Sequence, residues 1–217
     1  MLDQIFAQLI STLWWLPLFF IIAILFKIFK PFLKGKFGEF AVSVHAKKYL
    51  TEEYVLLNNC TLPDEQTGTT QIDHILLSPY GVFIIETKNY KGWVFGNERQ
   101  KMWTQKIFKK SYKFQNPLHQ NYKHQKVLEQ VLADIIGAEH LHSVIVFMPD
   151  CEFKTEMPVN VFRGKAWTAY VKGFNEVVIP PMKLKRIQLR IEKEILEKSW
   201  KTDRLHVANL QERKGNS

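Results

Sequence analysis

The sequence predicts an α/β domain, a central mixed sheet flanked by helices, preceded by a single N-terminal transmembrane helix. Three observations carry this reading. An uncharged, almost wholly apolar stretch covers residues 5–26, about the length that crosses a bilayer as a helix. Two β-rich apolar runs flank Ser78-Pro79-Tyr80-Gly81, so residues 71–90 read as an antiparallel hairpin. Around that hairpin the chain orders as helix, three strands, helix, strand, the pattern of a sheet covered by helices.

Within residues 5–26 only Gln8, Ser11, Thr12 and Pro17 interrupt the apolar run. A cleaved secretory signal would begin with cations, whereas this chain begins with Asp3 and shows no small-residue cleavage site after the run. A core helix would keep a polar face, and residues 14–25 have none. Lys27, Lys30, Lys34 and Lys36 crowd the carboxyl end of the stretch. The positive-inside rule then predicts a single-pass cell-membrane protein with its remaining chain in the cytoplasm. The expected division is an anchor at 1–30, a core at 31–150, a strand and helices completing the domain at 151–202, and a flexible tail at 203–217.

The formal net charge is +9 at pH 7, of which residues 31–217 hold +8. Such a surface favours polyanions, either nucleic acid or anionic headgroups. Cys60 and Cys151 are too few for a disulfide scaffold in a chain of 217 residues, and no Cys/His spacing resembles a zinc site.

Charge inside the hairpin is what points to chemistry. Asp73, Glu86 and Lys88 interrupt runs otherwise built for burial, and a buried ion costs several kcal/mol unless it is paired or bound to metal. With Pro79 and Tyr80 as the two loop residues, Asp73 falls opposite Glu86, and Lys88 shares that face by alternation. A one-residue bulge at Gly81 would set Asp73 opposite Thr87 instead. In the first register two carboxylates stand about 5 Å apart across the strand pair with an ammonium beside them, a site for a divalent cation.

The other elements follow from pattern. Residues 34–50 read as a helix whose Gly35 and Gly38 permit close approach and whose Phe37, Phe40, Ala41 and Val44 form an apolar stripe. Residues 54–60 form a strand and 63–70 a polar loop, while 93–95 extend the sheet. Asn116 caps a helix with Pro117 at its first position, running to about residue 137 with Leu128, Val131, Leu132 and Ile135 toward the core. Gln120 and His124, one turn apart, share its other apolar-bound side with Val127 and Val131. Residues 142–148 and 159–162 read as strands, 166–172 as a short helix, and 184–200 as a last basic amphipathic helix that closes the domain or lies on a membrane surface.

These residues carry a family resemblance. Gly35-x-x-Gly38-Glu39, then Gln71-Ile72-Asp73, then Ile85-Glu86-Thr87-Lys88-Asn89-Tyr90 with Gly92, Trp103 and Asn116-Pro117-x-x-Gln120, resembles the nuclease-related domain, NERD, over roughly residues 35–150. That domain is similar to the PD-(D/E)XK nuclease superfamily. The resemblance implies a restriction-endonuclease-like core and a Mg²⁺- or Mn²⁺-dependent nuclease, a hydrolase of DNA or RNA phosphodiesters. It implies that Asp73, Glu86 and the Thr87 carbonyl hold the cation, that Lys88 orients water or stabilises the charged transition state, and that Glu39 and Gln120 complete the catalytic set. His124 is a lesser member.

Residues 99–126 supply a surface for the substrate. Lys101, Lys106, Lys109, Lys110 and Lys113 lie among Trp103 and Tyr112 with no Asp or Glu between them, and cations with stacking aromatics suit nucleic acid, single strands in particular. A solvated basic hairpin with aromatics turned inward has the same composition. The rival functions are a non-catalytic nucleic-acid-binding module tethered to the membrane and an interaction protein whose acidic cluster is a buried salt bridge.

Overall fold

The turn at Pro79-Tyr80 joins β2 (Gly68–Ser78) to β3 (Gly81–Lys88), with Ser78 opposite Gly81 and His74 opposite Ile85. This is the two-residue loop register, and the bulged alternative is excluded. The computed structural model describes residues 15–195, and the chain divides into two units, Met1–Phe37 and Gly38–Ser217.

In the first unit the described residues belong to helix α1 (Trp15–Tyr49). The described residues give no support to the transmembrane helix expected over 5–26. Residues 5–14 lie outside the described residues, and among the described residues no helix is long and apolar enough to cross a membrane. From Trp15 the helix does not stop at the basic cluster but continues through Lys27, Lys34 and Lys36 to Tyr49. Leu18, Phe19, Phe20, Ile21, Ile22, Ile24, Leu25 and Phe26 are exposed.

In the second unit a five-stranded sheet runs in the order β1 (Val55–Asp64), β2, β3, β7 (Leu141–Phe147), β9 (Val161–Arg163). The β1–β2–β3 meander is antiparallel, and β3, β7 and β9 are parallel, so the sheet is mixed as expected. Helix α2 (Pro117–Leu132) covers one face with Val127, Leu128 and Leu132, against Ile75, Leu77, Val82 and Ile84. Helix α4 (Pro181–Glu194) joins that layer through Ile187 and Ile191. On the other face Val42 and Ala46 of α1 and Trp167 of α3 (Trp167–Lys172) pack on Leu76, Phe83, Ile85 and Val144. The stripe expected on α1 is therefore displaced: Phe37, Phe40 and Val44 are exposed, because Val42 and Ala46 face the sheet. Gly38 does make a close approach, since a Cβ there would sit 3.1 Å from Thr87 Cγ2, whereas Gly35 has nothing within 4 Å.

Residues 63–70 are strand rather than loop, with only a tight turn at 65–67. Asp64 holds that turn, accepting from the Gln66 amide at 3.0 Å and from the Thr67 hydroxyl. Residues 92–95 do not extend the central sheet. They form β4 (Gly92–Phe95) of a second, four-stranded sheet ordered β6 (Lys110–Gln115), β5 (Met102–Ile107), β4, β8 (Cys151–Phe153). Strand β8, absent from the sequence reading, pairs in parallel with β4. The last helix ends at Glu194, and the expected continuation to 200 and the tail at 203–217 lie outside the described residues. Both cysteines are buried and free, their thiols pushed up by burial to about 12 for Cys60 and about 11 for Cys151.

Candidate active site

The β1–β2 ladder keeps one register along its length but skips the pair Asn59 with Asp73. At that step Asn59 takes a positive φ of 54°. The residues turned toward α2 change there from odd to even: Val55 and Leu57 give way to Cys60 and Leu62 on β1, and Ile75 and Leu77 to Ile72 on β2. The β2–β3 ladder also ends at His74 with Ile85, one pair before Asp73 and Glu86 would meet. The two strands fork at the acidic residues. The Thr87 amide, freed from the ladder, donates to Asp73 Oδ2 at 2.8 Å.

Glu86 and Lys88 follow Val82 and Ile84 in alternation on the α2 side of β3. The Glu86 side chain is 3% exposed and that of Lys88 15%, and Lys88 Nζ donates to Glu86 Oε1 at 2.7 Å. The same ammonium donates to Gln120 Oε1 at 2.8 Å. Helix α2 is fixed so that Gln120 arrives there. Asn116 caps it, accepting from the Leu118 amide at 3.0 Å, and its own amide donates to the carbonyls of Asn97, Glu98 and Gln100. One turn on, Asn121 donates to the Ile84 carbonyl at 2.8 Å, pinning the helix to the sheet.

His124 comes next on that helix side. Its Nδ1 lies 2.8 Å from Thr70 Oγ1 and its Nε2 3.4 Å from Glu86 Oε2. The second distance brings the ring up to the carboxylate, but neither Nε2 nor Glu86 Oε2 has an aligned hydrogen-bond partner.

Burial and the nearby Glu86 carboxylate hold the Asp73 carboxyl well above its usual range, with Glu39 adding to the push. Asp73 is ringed by protein, yet part of its surface stays accessible at the fork. Burial would raise Glu86 too, but the Lys88 ammonium and His124 reverse this and hold it below the ordinary value. Burial opposes the charge on Lys88, and Glu86 overcomes it, so the ammonium is held ionised more firmly than usual. The Tyr90 phenol, raised chiefly by burial, feels both Lys88 and Glu86. Its ring lies 4.4 Å from that of Phe114.

The structure thus gathers Asp73, Glu86, Lys88, Gln120 and His124 and adds Thr70 and Tyr90; half-buried Glu39 acts on Asp73 through its charge. Two carboxylates, one with a buried unpartnered oxygen, suit a hard cation that takes oxygen ligands. Among the described residues no group of three or more His, Cys, Asp or Glu side chains is arranged to hold a metal. The remaining positions would therefore fall to the Thr87 carbonyl and solvent.

The basic segment divides. Trp103, expected to stack on bases, is fully buried. It stacks on Phe147 at 6.0 Å and donates from Nε1 to the Asn97 carbonyl at 2.9 Å, so it is core. Lys101, Lys109, Lys110, Lys113 and Tyr112 are exposed and Lys106 is half-buried. The missed aromatic is Trp93, 44% exposed, with Lys106 and Lys154 over its ring at 5.8 and 4.8 Å. Strand alternation could have separated the two tryptophans had β4 and β5 been recognised as a separate sheet.

A mixed sheet covered on both faces, with two carboxylates and a lysine gathered where two strands part, defines an α/β domain. The chain belongs to the nuclease-related domain family, whose model matches residues 34–148, just over half of its length. It is also 40% identical over 148 residues to an uncharacterized Bacillus anthracis protein, pXO1-01, a match spanning 68% of this chain and 67% of that one.

Proposed function

We propose that this protein is a Mg²⁺- or Mn²⁺-dependent phosphodiesterase acting on DNA or RNA. The single observation that supports it most is the shared grip on Lys88: Glu86 and Gln120, from a strand and a helix, hold one ionised ammonium beside Asp73. A lysine so fixed presents a positive charge that needs no reorganisation when a phosphate oxygen gains negative charge. Asp73, Glu86 and the Thr87 carbonyl would hold the cation, which polarises the phosphate and acidifies water when bound. Gln120 keeps Lys88 from collapsing wholly onto Glu86. Glu39 adds negative charge at the mouth.

Substrate reaches this cluster along β6. Lys110, Tyr112 and Phe114 lie on one side of that strand by alternation, and Phe114 touches Tyr90 next to Lys88. Cations neutralise phosphates, and the aromatic faces accept unstacked bases. The apolar stretch at 5–26 tethers this activity to the cytoplasmic side of the cell membrane, a reading supported by its lack of charge and by the exposed side chains from Leu18 to Phe26. Recovery of the full chain in the soluble fraction of lysed cells would remove the tether from the proposal.

The test is cleavage of labelled single- and double-stranded DNA and RNA with Mg²⁺, Mn²⁺ or EDTA, using the full chain and its Asp73→Ala and Glu86→Ala variants. Metal-dependent cleavage lost in both variants supports the assignment, and cleavage surviving both changes refutes it. The second reading, a non-catalytic nucleic-acid-binding module, is favoured by one observation: Lys88 pairs directly with Glu86 at 2.7 Å, so one of the two carboxylates has a cationic partner within the protein itself. EDTA-insensitive binding with no hydrolysis of any of these substrates would select it.

A further inference from the structure

Glu86 is held from both sides, but only one side belongs to the cluster just described. Its Oε1 accepts a hydrogen bond from Lys88 Nζ at 2.7 Å. Its Oε2 is buried and faces His124 Nε2 at 3.4 Å. If that nitrogen presented a lone pair, two electron-rich atoms would face each other away from water, an arrangement that costs energy on both sides. The contact is favourable only when Nε2 carries the hydrogen. A neutral imidazole with Nε2–H has Nδ1 as its acceptor, and Nδ1 has a hydroxyl to accept from, Thr70 Oγ1 at 2.8 Å.

We propose that Thr70 and His124 form a positioning relay for Glu86, with the Thr70 hydroxyl donating to His124 Nδ1 and so directing Nε2–H toward Glu86 Oε2. The inference rests on the reading of Asp73 and Glu86 as a cation site. His124 touches neither substrate nor cation in this scheme. It fixes the rotamer of the carboxylate that does, as outer residues of metal sites commonly do. The relay depends on the change of phase at Asn59 and Asp73. Strict alternation from Ile75 would turn Thr70 away from α2, and the change of phase turns Ile72 and Thr70 toward it.

The experiment compares the full chain with T70V, T70S, H124A, H124Q, the double variant T70V/H124A, and the reference variants D73N and E86Q. Mn²⁺ alone is the probe, titrated by electron paramagnetic resonance. Nitrogen-15 shifts of the His124 ring are read in metal-free protein. We expect H124A to weaken Mn²⁺ binding about 10- to 100-fold and T70V less. The double variant should be no weaker than H124A, and T70S and H124Q should recover most of the affinity. The metal-free spectrum should show hydrogen on Nε2, with the Nδ1 resonance moved in T70V and restored in T70S. Unfolding midpoints near that of the parent separate positioning from collapse. If D73N and E86Q bind Mn²⁺ like the parent, the cation-site reading fails. If they lose Mn²⁺ while H124A and T70V keep it, or if Nδ1 carries the hydrogen, the relay is wrong and the cation site stands.

Discussion

In the five-stranded sheet the charges point inward, and in the four-stranded sheet they point out. Glu86 is 3% exposed and held by Lys88 and His124 between strand and helix, whereas Lys101, Lys109, Lys110 and Lys113 meet water. The difference lies in what covers each sheet. Both faces of the five-stranded sheet carry helices, so any ion on it must find a partner or a ligand. The four-stranded sheet packs Val94, Trp103 and Cys151 against Ile145, Phe147 and Val161 of its neighbour, buries Gln105 beside them, and leaves Trp93 and most of the lysines outside. Chemistry that needs few, rigid, low-dielectric charges belongs to the first sheet, and capture of a polyanion to the second.

Substitutions in the two sheets press on that contrast. Lys88→Met is the most severe, because it strands Glu86 as a buried unpaired carboxylate. Breaking one side of such a pair costs about 3–5 kcal/mol, readable in urea unfolding, and adding Glu86→Gln should restore much of that stability without restoring cleavage. Trp103→Ala should cost about 3–5 kcal/mol by emptying the contact with Phe147. Trp93→Ala, on the open face of the same sheet, should stay within about 0.5 kcal/mol, so similar losses for the two tryptophans would erase the inside-outside distinction.

Lys109→Ala with Lys110→Ala should leave stability unchanged. It should flatten the slope of log affinity against log salt by nearly 2 on duplex DNA and by about 1.4 on single strands. An unchanged slope would move the polyanion surface away from the β5–β6 hairpin.

A modest, pH-dependent effect on stability is expected at Asp73. Burial and Glu86 raise its folded pKa, so metal-free protein binds a proton there that the unfolded chain has released. Its contribution is therefore lost as pH rises from the ordinary Asp range through the raised value. Glu86 works in the opposite sense: its lowered pKa gives stability that is present above the ordinary Glu value and lost as pH falls through the folded one. Asp73→Asn in EDTA should therefore raise the melting temperature near neutral pH by about 2–4 °C, the shift produced by about 1 kcal/mol in a chain of this size. It should also remove the decline attributed to Asp73, while cleavage is lost.

Much of the site is written in local pattern. The turn chemistry of Pro79 and Gly81 sets the β2–β3 register through His74 and Ile85. The cap at Asn116 with Pro117 sets where α2 begins, and helical spacing then puts Gln120 and His124 on one side. These follow from steric and hydrogen-bonding preferences acting over a few residues, so the sequence by itself determined them. What it could not determine was which polar groups meet across the fold. Thr70 reaches His124 because the strands change phase at Asn59, Trp103 is core because β4 leaves the central sheet to pair with β8, and α1 turns Val42 inward rather than Phe40. Each of those outcomes is decided by packing between segments far apart in the chain, where the competing arrangements differ in long-range burial and not in local preference, so only the tertiary structure decided them.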